Sequence, residues 1–366
     1  MRAVVKYVKG AGGTELAEIP EPEPGPGQVK IRVVAAGVCG SDVRMYDTDA
    51  GESRFRPPVV LGHEGAGVVA VVGPGVTTVK PGDTVTAETT HVTCGTCRHC
   101  AVGALNQCPD RRGLGSGVDG YFAEYVVIRQ ESVHRLPDGL PVETAAIMEP
   151  LACAVHLVLE RAPARAGDTV IVYGPGPLGL LATQVSHACG ARVILVGSPT
   201  SVRRLELGRR LGAIATLVDG HDDVSSAVRN LTGGEGADVA YECAGNERAL
   251  QSACLSVRRR GLIGVAAAPH APVSCDIGHL FFNEISLTTS LSSTPGSWQS
   301  AMALVTAGHV ALEPLITHRF PLEQWEAAYD VVRRRAGVKV LLQPDLAQPL
   351  QESWCENDRC RLLRSR

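Results

Sequence analysis

Residues 170–181, VIVYGPGPLGLL, combine three features in a fixed order. The first four residues are β-branched or aromatic, which is typical of a strand buried on both faces. Three glycines follow in G-x-G-x-x-G spacing, and the Ala- and Leu-rich stretch after them predicts a helix. Glycines at this spacing allow a tight turn, let the backbone approach a pyrophosphate and pack helix on strand, while the helix N-terminus supplies free N–H groups. The residues predicted to bind a dinucleotide are Gly174, Gly176, Pro177, Leu178 and Gly179.

An alternation of apolar runs and helical patterns continues after this turn. Further strands are predicted at residues 193–196, 215–218, 239–242 and 262–266, with a helix at residues 203–211. Strands that alternate with helices in this way pair in parallel. We therefore predict the α/β class, with a doubly wound parallel (Rossmann) sheet.

The sequence before the turn is strand-rich, and a further strand candidate appears near the end of the chain, at residues 338–342. This return indicates that the nucleotide-binding domain is inserted into a strand-rich domain. The tail after the last strand has mixed charge and little periodicity, so we expect it to be poorly ordered. The predicted divisions are residues 1–153 with 292–366 for the strand-rich domain, 154–291 for the nucleotide domain, and 343–366 for the tail.

Composition limits the classes of function. A chain of 366 residues, 45% hydrophobic and 20% charged, is typical of a globular protein with two domains. Its net charge of −3 gives no reason to expect a nucleic acid or a membrane surface as partner. We find no secretory signal pattern and no apolar run of membrane-span length. Given 12 cysteines and no export signal, we expect metal binding in a reducing compartment, the cytoplasm.

Four cysteines, Cys94, Cys97, Cys100 and Cys108, are spaced C-x2-C-x2-C-x7-C. Four thiolates brought together by short loops make the closed tetrahedral set of a structural zinc. Closed coordination leaves no position for a substrate, so we assign this cluster no catalytic step. We expect the interleaved His99 to be a bystander. The alternative is a loop with four unligated thiols.

A second candidate group, Cys39, His63, Glu64 and Glu149, is scattered along the chain. Each residue lies close to a glycine or proline at a predicted strand end or domain junction. A thiolate, an imidazole and a carboxylate make a zinc site with one open position, where the metal acts as a Lewis acid on a substrate oxygen. The alternative is that the cysteine and the histidine are ordinary buried residues.

Five motifs occur in the order found in the zinc-dependent medium-chain dehydrogenases. They are GVCGSD at residues 37–42, GHEGAGVV at 62–69, the four-cysteine cluster, EPL at 149–151, and the turn at Gly174. The chain resembles this family to about Gln343. It is most similar to the polyol branch, which includes sorbitol, iditol, threonine and cyclitol dehydrogenases, because it has EPL where better-known alcohol dehydrogenases carry a cysteine.

The resemblance implies a GroES-like catalytic domain beside the Rossmann domain. It also implies that Cys39 and His63 bind a catalytic zinc, with Glu64 or Glu149 as the third ligand, since relatives exchange these two carboxylates. The expected enzyme interconverts a secondary alcohol (a polyol, cyclitol or amino-alcohol) with its ketone by hydride transfer to a nicotinamide. We expect a homodimer or homotetramer, with the strand near residues 285–289 as a candidate contact.

The proton relay departs from the family pattern. By resemblance, Ser41 takes part in the relay from the alcohol, and Asp42 orients His63. Many relatives have a histidine five residues after the zinc cysteine, which passes the proton to solvent. This chain has Arg44 there, and a guanidinium cannot act as a base near neutral pH. The sequence therefore assigns no residue that carries the proton onward from Ser41. Arg44 is instead a candidate contact for a phosphate or an acidic substrate group.

The cofactor site also departs from the usual pattern. NAD enzymes place Asp or Glu at the end of the second strand, where the carboxylate binds the ribose hydroxyls and repels the 2′-phosphate of NADP. This chain has Gly197 and Ser198 there, followed by Arg203 and Arg204. We therefore expect NADP rather than NAD, with Ser198, Arg203 and Arg204 among the contacts. The alternative is that both arginines lie on the solvated face of the next helix.

Two other functions compete with that of a zinc-dependent dehydrogenase. A non-catalytic nucleotide-binding protein of the same fold predicts one zinc per chain and no turnover. A zinc-free quinone or enoyl reductase is the other, and the joint presence of Cys39, His63 and Glu149 argues against it.

Overall fold

The structure, a computed structural model, describes residues 1–48, 55–269, 271–348 and 350–351. Its strands and helices, in chain order, are β1 (Arg2–Lys6), β2 (Thr14–Glu18), β3 (Gln28–Val38), α1 (Gly40–Asp47), β4 (Val59–Val60), β5 (Glu64–Val72), β6 (Thr84–Ala87), β7 (Thr90–Val92), α2 (Arg98–Ala101), β8 (Arg112–Gly113), β9 (Tyr125–Arg129), β10 (Val133–Arg135), α3 (Met148–Val155), β11 (Thr169–Tyr173), α4 (Pro177–Ala188), β12 (Arg192–Gly197), α5 (Val202–Arg210), β13 (Ala213–Val218), α6 (Val224–Leu231), β14 (Ala237–Glu242), α7 (Glu247–Ser256), β15 (Val257–Val265), α8 (Ile277–Phe282), β16 (Ser286–Thr289), α9 (Pro295–Thr306), β17 (Ile316–Pro321), α10 (Trp325–Arg333), β18 (Lys339–Gln343) and β19 (Leu350–Gln351).

The chain divides into two compact units, Met1–Glu149 with Leu312–Arg366, and Pro150–Ala311. The prediction ended the nucleotide domain at residue 291, whereas the second unit continues to Ala311. Hydrogen bonds within that unit account for the difference. Ser297 Oγ at the start of α9 donates to Glu160 Oε1 at 2.8 Å, and the backbone N–H of Ala311 donates to Gln184 Oε1 at 2.8 Å.

The first unit is strand-rich, and β3 is the central strand of its largest sheet. The strand order is β10-β6-β5-β3-β18-β17-β19, with β9 also paired to β3. Val29, Ile31 and Val33 of β3 are buried in the main apolar cluster of this unit. The three strands paired with β3 all run antiparallel to it, and Gly37 lies opposite Glu64 of β5 on one side and Leu341 of β18 on the other. This register brings the two strands that carry site residues to the end of β3.

The second unit confirms the predicted doubly wound sheet. Its six strands are all parallel, in the order β13-β12-β11-β14-β15-β16. The direction of winding reverses between β11 and β14, and in open sheets ligands bind beside the carboxyl ends of the strands at such a point. The predicted α/β class is therefore correct.

The glycine turn joins β11 to α4. Gly174 has φ +98°, a value that favours glycine, and its N–H donates to the Val196 carbonyl of the neighbouring strand at 2.9 Å. A Cβ on Gly179 would overlap the carbonyl oxygen of Gly174, whereas a Cβ on Gly176 would meet no atom within 4 Å. Helix α4 begins at Pro177, a position that suits proline because the first helical N–H has no partner in the helix.

The end of the chain is described only in part. The predicted tail begins at residue 343, and within it the short strand β19 pairs antiparallel with β17. Residues 352–366, with Cys355 and Cys360, lie outside the described residues. Across the described ranges, no helix combines the length and apolar character needed to cross a bilayer.

We expect Gly179→Ala to destabilise the second unit, because the new methyl group collides with backbone that closes the turn. The expected loss is about 3 kcal/mol of unfolding free energy, typical of overpacking at a site that cannot relax. Urea denaturation measures it. Gly176→Ala is the matched control and should unfold as the wild type does. Equal stability of the two variants would contradict this account of the turn.

Candidate metal centres and nucleotide site

Cys39 links β3 to α1 and stands at the N-terminus of that helix. Its backbone N–H donates to Asp42 Oδ2 at 2.9 Å, which fixes the first turn of α1. The other oxygen of Asp42 lies 3.1 Å from His63 Nδ1. Asp42 therefore orients His63 as the resemblance implied, since a carboxylate on Nδ1 leaves Nε2 available as a ligand atom.

Three of the four predicted zinc ligands converge. One ligand atom each from Cys39, His63 and Glu64 lies within 4.8 Å of the other two. Burial lowers the pKa of His63, but the Asp42 carboxylate and the Cys39 sulfur outweigh it, so that pKa lies well above its usual value. The neighbours of the half-buried imidazole thus favour a positive charge at this point. A sulfur, a nitrogen and an oxygen donor at this spacing fit one zinc ion with an open position.

A buried lysine accompanies this group. Lys339 of β18 forms an ion pair with Glu64 Oε2, and the two side chains are 3% and 1% exposed. Its Nζ also donates to the Val38 carbonyl at 3.3 Å. A Cβ on Gly37 would collide with the carboxylate, so glycine at this point of β3 makes room for the pair. Burial raises the pKa of Glu64 although Lys339 opposes the shift.

Glu149 lies on a neighbouring element. It is buried in the first turn of α3, and its Oε1 accepts a hydrogen bond from Thr89 Oγ1 at 2.9 Å. Its charge contributes to raising the pKa of Glu64. Among the described residues, the group whose ligand atoms lie within 4.8 Å of one another includes Glu64 and leaves out Glu149. The two candidate carboxylates therefore differ in their distance from the cysteine and histidine.

Ser41 and Arg44 both lie on α1. Ser41 is exposed, two residues after Cys39, and Arg44 is half-buried one helical turn further along. Side chains three residues apart on a helix lie on the same side. The hydroxyl and the guanidinium therefore occupy the same side of the helix that begins at the candidate zinc site.

The four-cysteine cluster is assembled by local chain. Cys94 Sγ lies 3.6 Å from Cys108 Sγ and 3.9 Å from Cys100 Sγ, and Cys97 Sγ lies 3.6 Å from Cys100 Sγ. Backbone N–H groups point at the sulfurs, and those of Thr96 and Cys97 lower the pKa of Cys94 to about 6. Four convergent sulfurs, one of them favouring the thiolate, fit the closed tetrahedral coordination of structural zinc.

Strand β12 ends at the cofactor residues predicted from sequence. Ser198 Oγ lies 2.9 Å from both Thr200 Oγ1 and Ser201 Oγ, which groups three hydroxyls just before α5. Arg203 and Arg204 follow in the first turn of that helix. The hydroxyls at the end of the strand are therefore followed at once by two half-buried arginines.

Sequence reasoning missed an ion pair that lies beside β12. Asp219 follows β13, and its N–H donates to the Gly197 carbonyl at 2.8 Å. Its carboxylate is 2.8 Å from Arg248 Nε of α7. Sequence analysis also missed Lys339. Its one signal is a lysine in the apolar run at residues 338–342, whereas the meeting of Asp219 and Arg248 has no local signal.

Two family models match the chain. The model of the alcohol dehydrogenase GroES-like domain matches residues 25–138, and that of the zinc-binding dehydrogenase matches residues 177–307. These matches fall in the first and second units respectively.

Named proteins are similar over nearly the whole chain. A sorbitol dehydrogenase of Halalkalibacterium halodurans is 39% identical, over 94% of this chain and 99% of its own length. A D-arabitol-phosphate dehydrogenase of Enterococcus avium is 36% identical, over 94% and 97%. The solved structure of an alcohol dehydrogenase from Thermotoga maritima superposes with a TM-score of 0.85 at 30% identity, over 94% and 99%. The chain therefore belongs to the polyol branch of the zinc-dependent medium-chain dehydrogenases, enzymes that use zinc and a nicotinamide cofactor.

Proposed function

We propose that this dehydrogenase acts on a secondary hydroxyl of a polyol, cyclitol or amino-alcohol, at a zinc site formed by Cys39, His63 and one carboxylate. The observation that carries the proposal is the convergence of the ligand atoms of Cys39, His63 and Glu64 within 4.8 Å. We assign the third position to Glu64 because it lies within this group. Glu149 is assigned a place beside the site, where its charge acts on Glu64. A zinc-free reductase has no use for such a set of donors.

The residues around the site have separate tasks. Zinc, when bound, supplies a Lewis acid for the substrate oxygen. Asp42 holds the Nδ1 side of His63 and so keeps the ring in one orientation. Lys339 pairs with the Glu64 carboxylate and opposes the rise in its pKa that burial causes. Ser41, exposed near the start of α1, relays the proton of the substrate hydroxyl: its Oγ takes that proton as its own hydroxyl proton passes to solvent water.

Arg44 favours a substrate with an anionic group. A guanidinium cannot take over the proton from Ser41, but it binds phosphate and carboxylate groups through paired hydrogen bonds. Its position one turn after Ser41 suits a contact with the remote end of a substrate held by that serine. The arabitol-phosphate relative acts on such an ester by its name. Cofactor reduction by polyols, cyclitols, threonine and polyol phosphates is the experiment that tests the substrate class.

We propose NADP as the preferred cofactor. Gly197 and Ser198 replace the acidic residue that would repel a 2′-phosphate. Three hydroxyls and the N-terminal turn of α5 with its two arginines offer donors to such a phosphate. Asp219 is the nearby carboxylate, and its pairing with Arg248 offsets its charge.

We also propose a homo-oligomer, built first on a dimer through β16. This strand is at the edge of the six-stranded sheet and pairs with β15 on one side. Phe281 and Phe282 of the adjacent helix α8 are 74% and 80% exposed. An exposed apolar patch beside an edge strand is typical of a surface that another copy covers.

The metal assignments predict two zinc ions per chain and different consequences of losing each. Cys39→Ala should abolish cofactor reduction and retain the fold, because it removes a ligand from the open site. Cys97→Ala should cost at least about 3 kcal/mol of unfolding free energy, because structural zinc binding is coupled to folding. Elemental analysis, thermal unfolding and turnover measure these outcomes.

His99→Ala is the control for the cysteine cluster, and it should keep both zinc ions and wild-type stability. One zinc per metal-replete chain together with no turnover on any substrate tested would favour the non-catalytic alternative. Loss of activity in Cys39→Ala only through unfolding would contradict the division of roles.

The cofactor proposal predicts a higher kcat/KM with NADP than with NAD. Replacing both Arg203 and Arg204 by alanine should lower kcat/KM for NADP about tenfold, which corresponds to the loss of one charged phosphate contact, and affect NAD less. The matched control replaces Arg209 and Arg210, at the other end of α5, and should leave both values unchanged. A preference for NAD that the first pair of changes does not alter would overturn the proposal.

The oligomer proposal predicts that replacing Phe281 and Phe282 by glutamate yields a monomer, because charges on that surface oppose its burial against another copy. Sedimentation at micromolar protein measures the state. Val102→Glu, which alters an apolar side chain that is 78% exposed in the first unit, is the control and should keep the wild-type state. A monomeric wild type, or an unchanged double variant, would refute this interface.

A further inference from the structure

The second unit holds a pair of thiols outside both metal clusters. Cys254 lies on α7, and Cys275 lies in the segment between β15 and α8. Their sulfur atoms are 3.6 Å apart, which is van der Waals contact. Neither residue takes part in the zinc or cofactor chemistry proposed above.

The fold brings these two residues together for identifiable reasons. On α7, Leu250 and Cys254 are four residues apart and belong to the buried face of the helix. In the segment after β15, Val273 and Cys275 pack against the same apolar cluster, while Ser274 and Asp276 are exposed. This is the alternation of an extended chain. The segment therefore lays Cys275 on the helix face that carries Cys254.

Two hydrogen bonds hold the segment in this register. The N–H of Ser274 donates to Glu247 Oε2 at 3.0 Å, which ties the segment to the first turn of α7. Asp276 Oδ1 accepts from the His279 N–H at 2.9 Å and caps α8 on the other side of the cysteine. Hydrogen bonds of its direct neighbours, Ser274 and Asp276, therefore fix the position of Cys275.

We propose that Cys254 and Cys275 are a thiol modification site, which a low-molecular-weight disulfide such as glutathione disulfide converts into an intramolecular disulfide. Bonded sulfurs are separated by about 2.05 Å. The two sulfurs, now 3.6 Å apart, must therefore approach by about 1.6 Å. The proposal is independent of the substrate and of the cofactor preference.

The reaction proceeds in two exchange steps. The Cys275 thiolate attacks one sulfur of the reagent, the reagent's S–S bond breaks, and one glutathione thiolate leaves. The Cys254 sulfur then attacks Cys275 Sγ as its proton passes to the departing glutathione sulfur. The mixed S–S bond breaks, and the second glutathione leaves as its thiol. Two protein thiols are oxidised, and one glutathione disulfide is reduced to two molecules of glutathione.

The order of the two cysteines follows from their surroundings. Cys275 is half-buried between exposed residues, so a small reagent reaches it. Cys254 is 3% exposed, and burial raises its pKa to about 12, so it reacts only once a sulfur is activated beside it. Cys275 is therefore the attacked position, and Cys254 resolves the mixed disulfide.

The bond would join two elements that both leave the carboxyl edge of the sheet, at a point seven residues after the start of α7. Helix α7 begins shortly after the carboxyl end of β14, and the segment with Cys275 follows the carboxyl end of β15. The carboxyl ends of the strands border the crevice in which open parallel sheets bind dinucleotides. Oxidation would thus restrict the motion of the β15–α8 segment relative to α7 without requiring a change of fold.

The test uses the full, zinc-replete chain, in which bound metal protects the clustered cysteines. After incubation with glutathione disulfide, free thiols are alkylated and peptides are analysed by mass spectrometry. The wild type should lose two hydrogens, with Cys254 and Cys275 linked, and dithiothreitol should reverse the change. Backbone amides of residues 271–276 should exchange with deuterium more slowly in the oxidised protein.

Variants separate the two steps. Cys254→Ala should keep one glutathionyl group on Cys275, because the resolving sulfur is missing, and Cys275→Ala should leave Cys254 unmodified. Cys189→Ala, a half-buried thiol elsewhere in the unit, should behave as the wild type. The proposal is overturned if both wild-type thiols stay open to alkylation, if the wild type stops at the mixed disulfide, or if the link forms only in denaturant.

Discussion

The buried ion pair of Glu64 and Lys339 is the constraint on which the first unit depends. Each charge is removed from water, so removing either partner alone leaves an uncompensated charge and costs about 3–5 kcal/mol. The pair is possible because Gly37 has no side chain in the space that both groups occupy. It joins β5, early in the chain, to β18, near its end, across β3. The same contact fixes the carboxylate beside Cys39 and His63, so the strand pairing and the geometry of the site have one cause.

Both groups of candidate ligands offer donor atoms suited to zinc, but the chain brings those atoms together in different ways. The four-cysteine cluster is formed by residues 94–108, where short turns and backbone N–H groups bring the sulfurs together. The open cluster draws on β3, β5 and, through the lysine, β18. A closed cluster needs little more than its own loop, whereas the open one needs a completed sheet. This difference fits a structural role for the first and a reactive role for the second.

Sequence reasoning succeeded where the signal is local. The glycine turn, the parallel alternation around it and the cysteine spacing each lie within a few dozen residues, and they led to the correct fold class and family. It failed for Lys339 and for the pair of Asp219 and Arg248, because those partners meet only after distant strands have paired. The end of the second unit was also placed too early, since the bonds from Ser297 to Glu160 and from Ala311 to Gln184 have no counterpart in a pattern of hydrophobicity.

The insertion of the second unit has a consequence for the order in which the chain can fold during synthesis. Residues 150–311 are contiguous, and all six strands of their sheet are available once that stretch has left the ribosome. The first unit must wait, because β17, β18 and β19 are made last, and β18 supplies both a neighbour of β3 and the partner of Glu64. Until then β9 pairs with residues 28–32 of β3, but residues 36–38 lack the neighbour that β18 supplies, and the Glu64 carboxylate lacks its cation. The nascent chain therefore has a finished nucleotide module flanked by an incomplete sheet, and that exposed edge is where a chaperone would be needed most.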